Sequence, residues 1–148
     1  MTLNRILGAE ILTNRFGCWP SFHDANILSV ERTPIGRAEN VTIVAHLFRM
    51  TDEVDSKGFY VLDTHTRAAI RFRGCEDIKL NEFDHGVLFS LELSEGPSGI
   101  GSSVEVGFNS SYGIEGTFKC ERIEVLSAEP SDSKGEPVSL KQSTDPLM

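Results

Sequence analysis

Through the stretch 25–126, apolar residues keep returning at every second position, the spacing of one face of a β-strand. Runs of this kind cover 27–32, 41–48, 67–72, 87–93, 104–108 and 114–120, with a further start at Ile78 and Leu80. Turn signals separate them: Thr33-Pro34-Ile35-Gly36, Asp84-His85-Gly86, a glycine-rich segment at 96–101, and 109–113. Parallel neighbours need a crossover of a dozen or more residues, so strands joined this tightly run antiparallel. The expected fold class is α+β, predominantly antiparallel β: a meander sheet of about seven strands with one short N-terminal helix packed on it.

Three places qualify this pattern. Val41, Ile43, Ala45 and Leu47 oppose Val44 and Phe48, so both faces of that run are apolar, as in a central strand covered on both sides. Gly74-Cys75-Glu76-Asp77 reads as a bulge or turn. Ile123 and Val125 have the opposite parity to Phe118 and Cys120, so either a bulge lies near Glu121-Arg122 or two strands meet there.

Ahead of the strands, Leu3, Ile6, Leu7 and Ile11 recur at helical spacing, with Thr2 or Asn4 as candidate caps. Gly17 suits the position just past the end of a helix, where a left-handed backbone costs glycine nothing. Gly8 interrupts the pattern, and a helix confined to 9–16 fits equally well. Next comes Gly-Cys-Trp-Pro-Ser-Phe-His-Asp-Ala, residues 17–25. Pro20 holds Trp19 extended and cannot donate to a sheet ladder, so this is a non-helical arm with Trp19 and Phe22 over one end of the core. Asp24 suits the turn into the first strand.

Residues 1–126 read as a single β-rich domain. Residues 127–148 are rich in Ser, Pro, Asp, Glu and Lys without periodicity, and read as a polar, disordered tail. The net charge of −8 opposes nucleic acid as a partner, since phosphate binding needs a basic footprint. No stretch approaches the ~20 apolar residues of a membrane span. Three cysteines without Cys-x-x-Cys spacing (Cys18, Cys75, Cys120) suggest buried free thiols in a reduced, cytoplasmic protein.

Candidate chemistry is sparse. His23 and Asp24 are adjacent, but neighbours on an extended chain point to opposite faces, so adjacency alone makes no dyad. His23 either is a buried, hydrogen-bonded residue that pins the arm to the sheet or serves, with Asp24 and Arg71, a pocket under the arm. The four histidines (His23, His46, His65, His85) lack metal-ligand spacing, although His46 and His65 face each other if their strands pair. Arg67, Arg71 and Arg73 stripe one face, as a solvated surface or as cross-strand partners of Glu92 or Glu105. No catalytic residue, metal or cofactor is expected. Residues 50–64 form the least regular internal segment and read as a long loop, with Asp52, Glu53, Asp55 and Asp63 around Phe59 and Tyr60. The two aromatics either tuck into the core edge or form a partner-contacting patch.

The string Trp19-Pro20-Ser21-Phe22-His23-Asp24-Ala25 before a strand resembles the immunity protein 50 family of bacterial polymorphic toxin systems. The stretches 70–75, 88–93 and 112–120 are similar as well, and the likeness spans about 12–126. It implies a small, non-enzymatic cytoplasmic protein that binds and neutralises a cognate toxin of the same lineage. It also implies that Trp19, Pro20, Phe22, His23 and Asp24 fix the fold rather than touch the toxin. Nothing transfers to the variable segment 50–64. There the residues themselves suggest Asp52, Glu53, Asp55, Phe59, Tyr60 and Asp63 as partner contacts, carboxylates steering and aromatics anchoring. Two other readings remain open: a small enzyme or ligand binder around His23 and Asp24, and a homodimer paired through a sheet edge.

Overall fold

The computed structural model describes residues 5–81, 83–95 and 103–138. The chain runs β1 (Ile6–Leu7), α1 (Ala9–Phe16), β2 (Asn26–Ile35), β3 (Ala38–Val54), β4 (Tyr60–Leu80), β5 (Gly86–Glu95), β6 (Val104–Gly113), β7 (Gly116–Cys120) and β8 (Arg122–Pro130). The fold is predominantly β with one short helix, as the alternation requires. The eight strands lie in the order β1-β8-β4-β3-β2-β5-β6-β7, and β7 also pairs with β4. The pairings β4-β3-β2-β5-β6-β7-β4 therefore form a ring.

This corrects the meander of seven strands. The sheet has eight strands and is mixed, because β1 pairs β8 in parallel, Ile6 opposite Ile123. The cause is the length of β4. Its one edge takes β3, while its other edge is used twice, by β8 along Thr66–Arg73 and by β7 along Glu76–Leu80. Periodicity shows which residues share a face, but not that one strand serves two partners in turn. The run 67–72 and the start at Ile78 belong to this one strand. Between them the chain bends at Gly74 (φ 65) and Asp77 (φ 53), the expected bulge. The parity change after Cys120 is the junction of β7 and β8. The segment 109–113 belongs to β6 rather than to a turn, and β2 runs through Thr33–Ile35. The segment 96–101 lies outside the described residues.

Apolar residues from opposed strands fill the ring. Val41, Ile43 and Ala45 of β3 face Phe72, Ile70 and Ala68 of β4, and Phe72 and Ile70 are opposite Ile123 and Val125 of β8. All eight are buried. The rings of Phe108 and Phe118 stand edge-on to Phe72 at 6.0 and 5.3 Å. Val44 and Phe48, on the other face of β3, are only partly buried, so that face is not covered as the first is.

The helix is the shorter of the two alternatives. Gly8 (φ 75) ends β1 and starts α1, and Gly17 (φ 82) stops it, its N–H donating to Thr13 O at 2.8 Å. Ile6 and Leu7 are not helical because their backbones pair with β8. The caps expected at Thr2 or Asn4 lie outside the described residues. Leu12 is fully buried, and Arg15 Nη2 donates to His65 O at 2.9 Å, tying the helix end to β4. No described helix is long and apolar enough to cross a membrane.

The tail reading is corrected over its first part. Residues 127–130 continue β8, and Ser131 and Pro137 then bridge across a turn. The turn has its own side-chain acceptor, since Asp132 Oδ1 accepts from the N–H groups of Lys134 (2.8 Å) and Glu136 (3.0 Å). Residues 139–148 lie outside the described residues.

Closure of the ring depends on Gly116, which pairs with both Leu80 and Phe108. Its φ is +144°, and a Cβ there would lie 2.1 Å from Lys79 O. Gly116→Ala is expected to cost more than about 1 kcal/mol, seen as a lower urea midpoint, because both backbone strain and the contact must be relieved.

Candidate functional site

The Trp-Pro-Ser-Phe-His-Asp arm lies against β5. Phe22 and Pro20 are buried, and Trp19 packs on Phe22 with ring centroids 5.9 Å apart. Asp24 turns the chain (φ 67), which lets its N–H donate to Leu88 O at 2.8 Å while Leu88 N–H donates to Ala25 O at 2.9 Å. The left-handed turn also overturns the opposite-faces expectation, since it brings His23 Nε2 within 3.6 Å of Asp24 Oδ2. His23 Nδ1 lies 2.9 Å from Phe89 O, and a carbonyl only accepts, so Nδ1 carries the proton. His23 thus ties the arm to β5 as expected, but from an exposed rather than a buried position, its side chain 54 % accessible. Ser21 Oγ accepts from the His23 backbone N–H, not from the ring. Arg71 lies elsewhere, with Arg73, beside Glu124 of β8 (4.0 and 3.4 Å). The arginine stripe is therefore paired across β4 and β8, with Arg67 on Glu136, rather than with Glu92 or Glu105.

The segment 50–64 is not a loop. β3 continues to Val54, β4 begins at Tyr60, and a tight turn joins them. Asp55 makes that turn: its N–H donates to Phe59 O at 2.8 Å, and its Oδ1 accepts from the N–H groups of Lys57 and Phe59 at 2.9 and 3.0 Å. Gly58 supplies the positive φ, 87°. The aspartate, glycine and acidic composition suggested a loop, yet they build a hairpin end.

This hairpin outruns its neighbours. Pairing of β3 with β2 stops at His46, and pairing of β4 with β8 stops at Thr66. Beyond these points the strands pair only with each other, Arg49 opposite Asp63, Met50 opposite Leu62, Val54 opposite Tyr60. Tyr60 and Leu62 are two apart on one strand and so share a face, which Met50 and Val54 join from across the ladder. That face is apolar and uncovered: Met50 52 %, Val54 57 % and Tyr60 58 % exposed, with Phe59 68 % exposed at the turn. The core-edge reading of Phe59 and Tyr60 is thereby overturned.

The six proposed contacts separate. Phe59 and Tyr60 are exposed, and the Asp52 and Glu53 carboxylates have no ion-pair or hydrogen-bond partner among the described residues. Asp55 is spent on the turn. Asp63 is held in a two-point pair by Arg49 (2.9 and 2.8 Å), whose guanidinium pulls its carboxyl below the usual range. Sequence reasoning missed Met50, Val54, Val61 and Leu62. The segment 50–54 (Met-Thr-Asp-Glu-Val) carries no period-two apolar pattern, so the sequence held no signal for this face.

At the root of the ribbon, His46 and His65 do face each other. Nε2 of His46 lies 2.9 Å from Nδ1 of His65, and the rings stack at 5.1 Å. Asn26 Nδ2 can only donate, so His46 Nδ1 accepts (3.5 Å), and His46 Nε2–H donates to His65. The C-terminal turn lies over the pair: Gly135 is buried, a Cβ there would be 2.9 Å from His46 Cβ, and Ser131 N–H donates to His65 O. Among the described residues no group of three His, Cys, Asp or Glu could hold a metal.

Burial, then the neighbouring His65, lowers the pKa of His46 against an opposing pull from Asp132. As pH falls below about 6.5, the unfolded chain takes up a proton at His46 that the folded chain resists. Stability is therefore complete above that value and is lost on acidification, at up to about 1.4 kcal/mol per pH unit. Urea unfolding between about pH 7.5 and 5.5 is expected to show this slope, and His46→Gln to flatten it. Asp63, Glu39 and Asp84 titrate in the carboxylate range, so their contribution falls at lower pH.

The chain matches no family model, no curated protein and no solved structure among known proteins.

Proposed function

We propose that this is a non-enzymatic binding protein that inhibits a partner protein by seating the β3–β4 ribbon on it. The observation that carries the reading is the ribbon itself. A two-stranded hairpin is marginal in water alone, and this one leaves the ring with one apolar face uncovered and both edges unpaired. Such a surface suits a partner that covers the face, with Tyr60, Phe59, Val54 and Met50 as anchors. The free carboxylates of Asp52 and Glu53, on a chain of net charge −8, favour a basic partner and salt-sensitive association.

The Trp19–Asp24 string, by its resemblance to the immunity protein 50 family, makes that partner a cognate toxin acting in the same cytoplasm. The deciding experiment co-expresses the neighbouring reading frame's product with this protein. Growth arrest relieved by the natural chain, together with a complex that survives gel filtration, supports the reading. A harmless neighbour with no complex sinks it. The open edges also favour a second reading, a homodimer paired edge to edge. A monomer on a calibrated sizing column removes that reading and leaves the first standing.

A further inference from the structure

Cys75 of β4 and Cys120 of β7 meet at the seam where the ring closes. Arg73 is opposite Arg122 on one side of them and Glu76 opposite Lys119 on the other, in the same register, which sets Cys120 across from Cys75. Both side chains point inward and are 1 % exposed, and both thiols are free. The two residues face each other across the ladder, and Cys75 S–H donates to Phe72 O at 3.2 Å.

We propose that Cys75 and Cys120 form a reversible disulfide that staples β4 to β7 and locks the closure of the ring. Directly opposed residues of antiparallel strands have Cβ atoms about 4.5–5.5 Å apart, and a disulfide needs about 3.5–4.5 Å. The required approach is within reach of the bulge at Gly74–Asp77, where the β4–β7 register already shifts between Glu76 and Lys79. The pair is also asymmetric in the useful sense. The neighbouring Cys120 holds the Cys75 thiol below the ordinary range, whereas Cys75 and then burial push Cys120 up. Surface depressions border both residues, one of about 260 Å³ lined in part by Arg32, Glu39 and Cys75 and one of about 590 Å³ lined in part by Lys119 and Cys120, and they give a small reagent its approach.

The oxidant is a low-molecular-weight disulfide. The Cys75 thiolate attacks one of its sulfurs, forming a mixed disulfide and expelling a thiolate, which takes up the proton Cys75 lost. Cys120, deprotonated in turn, attacks the Cys75 sulfur and expels the second small thiolate, which takes up the Cys120 proton. Two protein thiols lose two electrons, and one small disulfide becomes two thiols.

The test uses the full chain carrying Cys18→Ser, which removes the one exposed thiol without touching the seam. It is held in glutathione and glutathione disulfide at graded ratios, quenched in acid, alkylated under denaturing conditions, and read by intact mass and peptide mapping. The expected result is joint loss of two alkylation sites and a linked peptide containing Cys75 and Cys120 within one chain. The oxidised form should melt about 10 °C higher, reversibly with reductant. Refolding in the same oxidising buffer repeats the measurement without the barrier of burial. Two alkylatable thiols after that refolding, a mixed disulfide that never closes, or linkage only between chains each overturns the proposal.

Discussion

Phe72→Ala is expected to destabilise the protein by about 4 kcal/mol, the range for truncating a large buried aromatic side chain. Phe72 has no exposed surface and lies in β4, the strand that touches β3, β7 and β8. Its cross-strand neighbours are Val41 and Ile123, and two further rings, Phe108 and Phe118, meet its edges from β6 and β7. The loss combines transfer of the ring with a cavity the surroundings fill poorly, since the side chains around it are carried on strands held in the ladder. A domain of this size is stable by about 5–15 kcal/mol, so the variant is left marginal. Urea unfolding followed by far-UV circular dichroism measures the effect. A shift below about 1.5 kcal/mol would mean that the walls collapse inward and that the ring is not a rigid core.

Val54→Ser combined with Tyr60→Ser should act on the opposite property. The two residues are opposite each other on the uncovered face of the ribbon, so neither substitution removes a core contact. Stability is expected to change by no more than about 0.5 kcal/mol. Affinity for the partner proposed above should fall about a thousandfold, the product of two anchors worth roughly 2 kcal/mol each at the centre of an interface. Calorimetric titration of natural chain and double variant against the co-purified partner gives both numbers. Unchanged affinity in a folded variant would remove the ribbon from the interface while leaving room for contact through another face. Asp52→Asn with Glu53→Gln is the electrostatic companion, expected to slow association at low salt and to leave dissociation nearly unchanged.

Together the two experiments separate the halves of β3 and β4. Residues 41–47 and 66–73 hold the ring together; residues 49–54 and 60–63 leave it. The same strands do both, and the boundary falls at the histidine pair, where β2 and β8 stop pairing and the C-terminal turn covers His46.

Local chemistry determined what is local here. Alternation assigned most of the strands because side chains two apart share a face whatever the partner. Gly17 ended the helix because no other residue adopts its backbone there so cheaply, and Gly74 opened the bulge for the same reason, with Asp77 a residue type that tolerates the left-handed backbone. The facing of His46 and His65 was foreseeable once their strands were taken to pair.

Other features had no local signature. Whether an apolar face is covered depends on how far its neighbours extend, and β2 and β8 end before the ribbon does; this left Met50, Val54 and Leu62 uncovered. The return of β7 to β4, the meeting of Cys75 with Cys120, and the seating of residues 131–138 over His46 each join parts of the chain far apart in sequence. Such contacts are chosen by the register and twist of the assembled sheet, an energy that no window of a few residues contains.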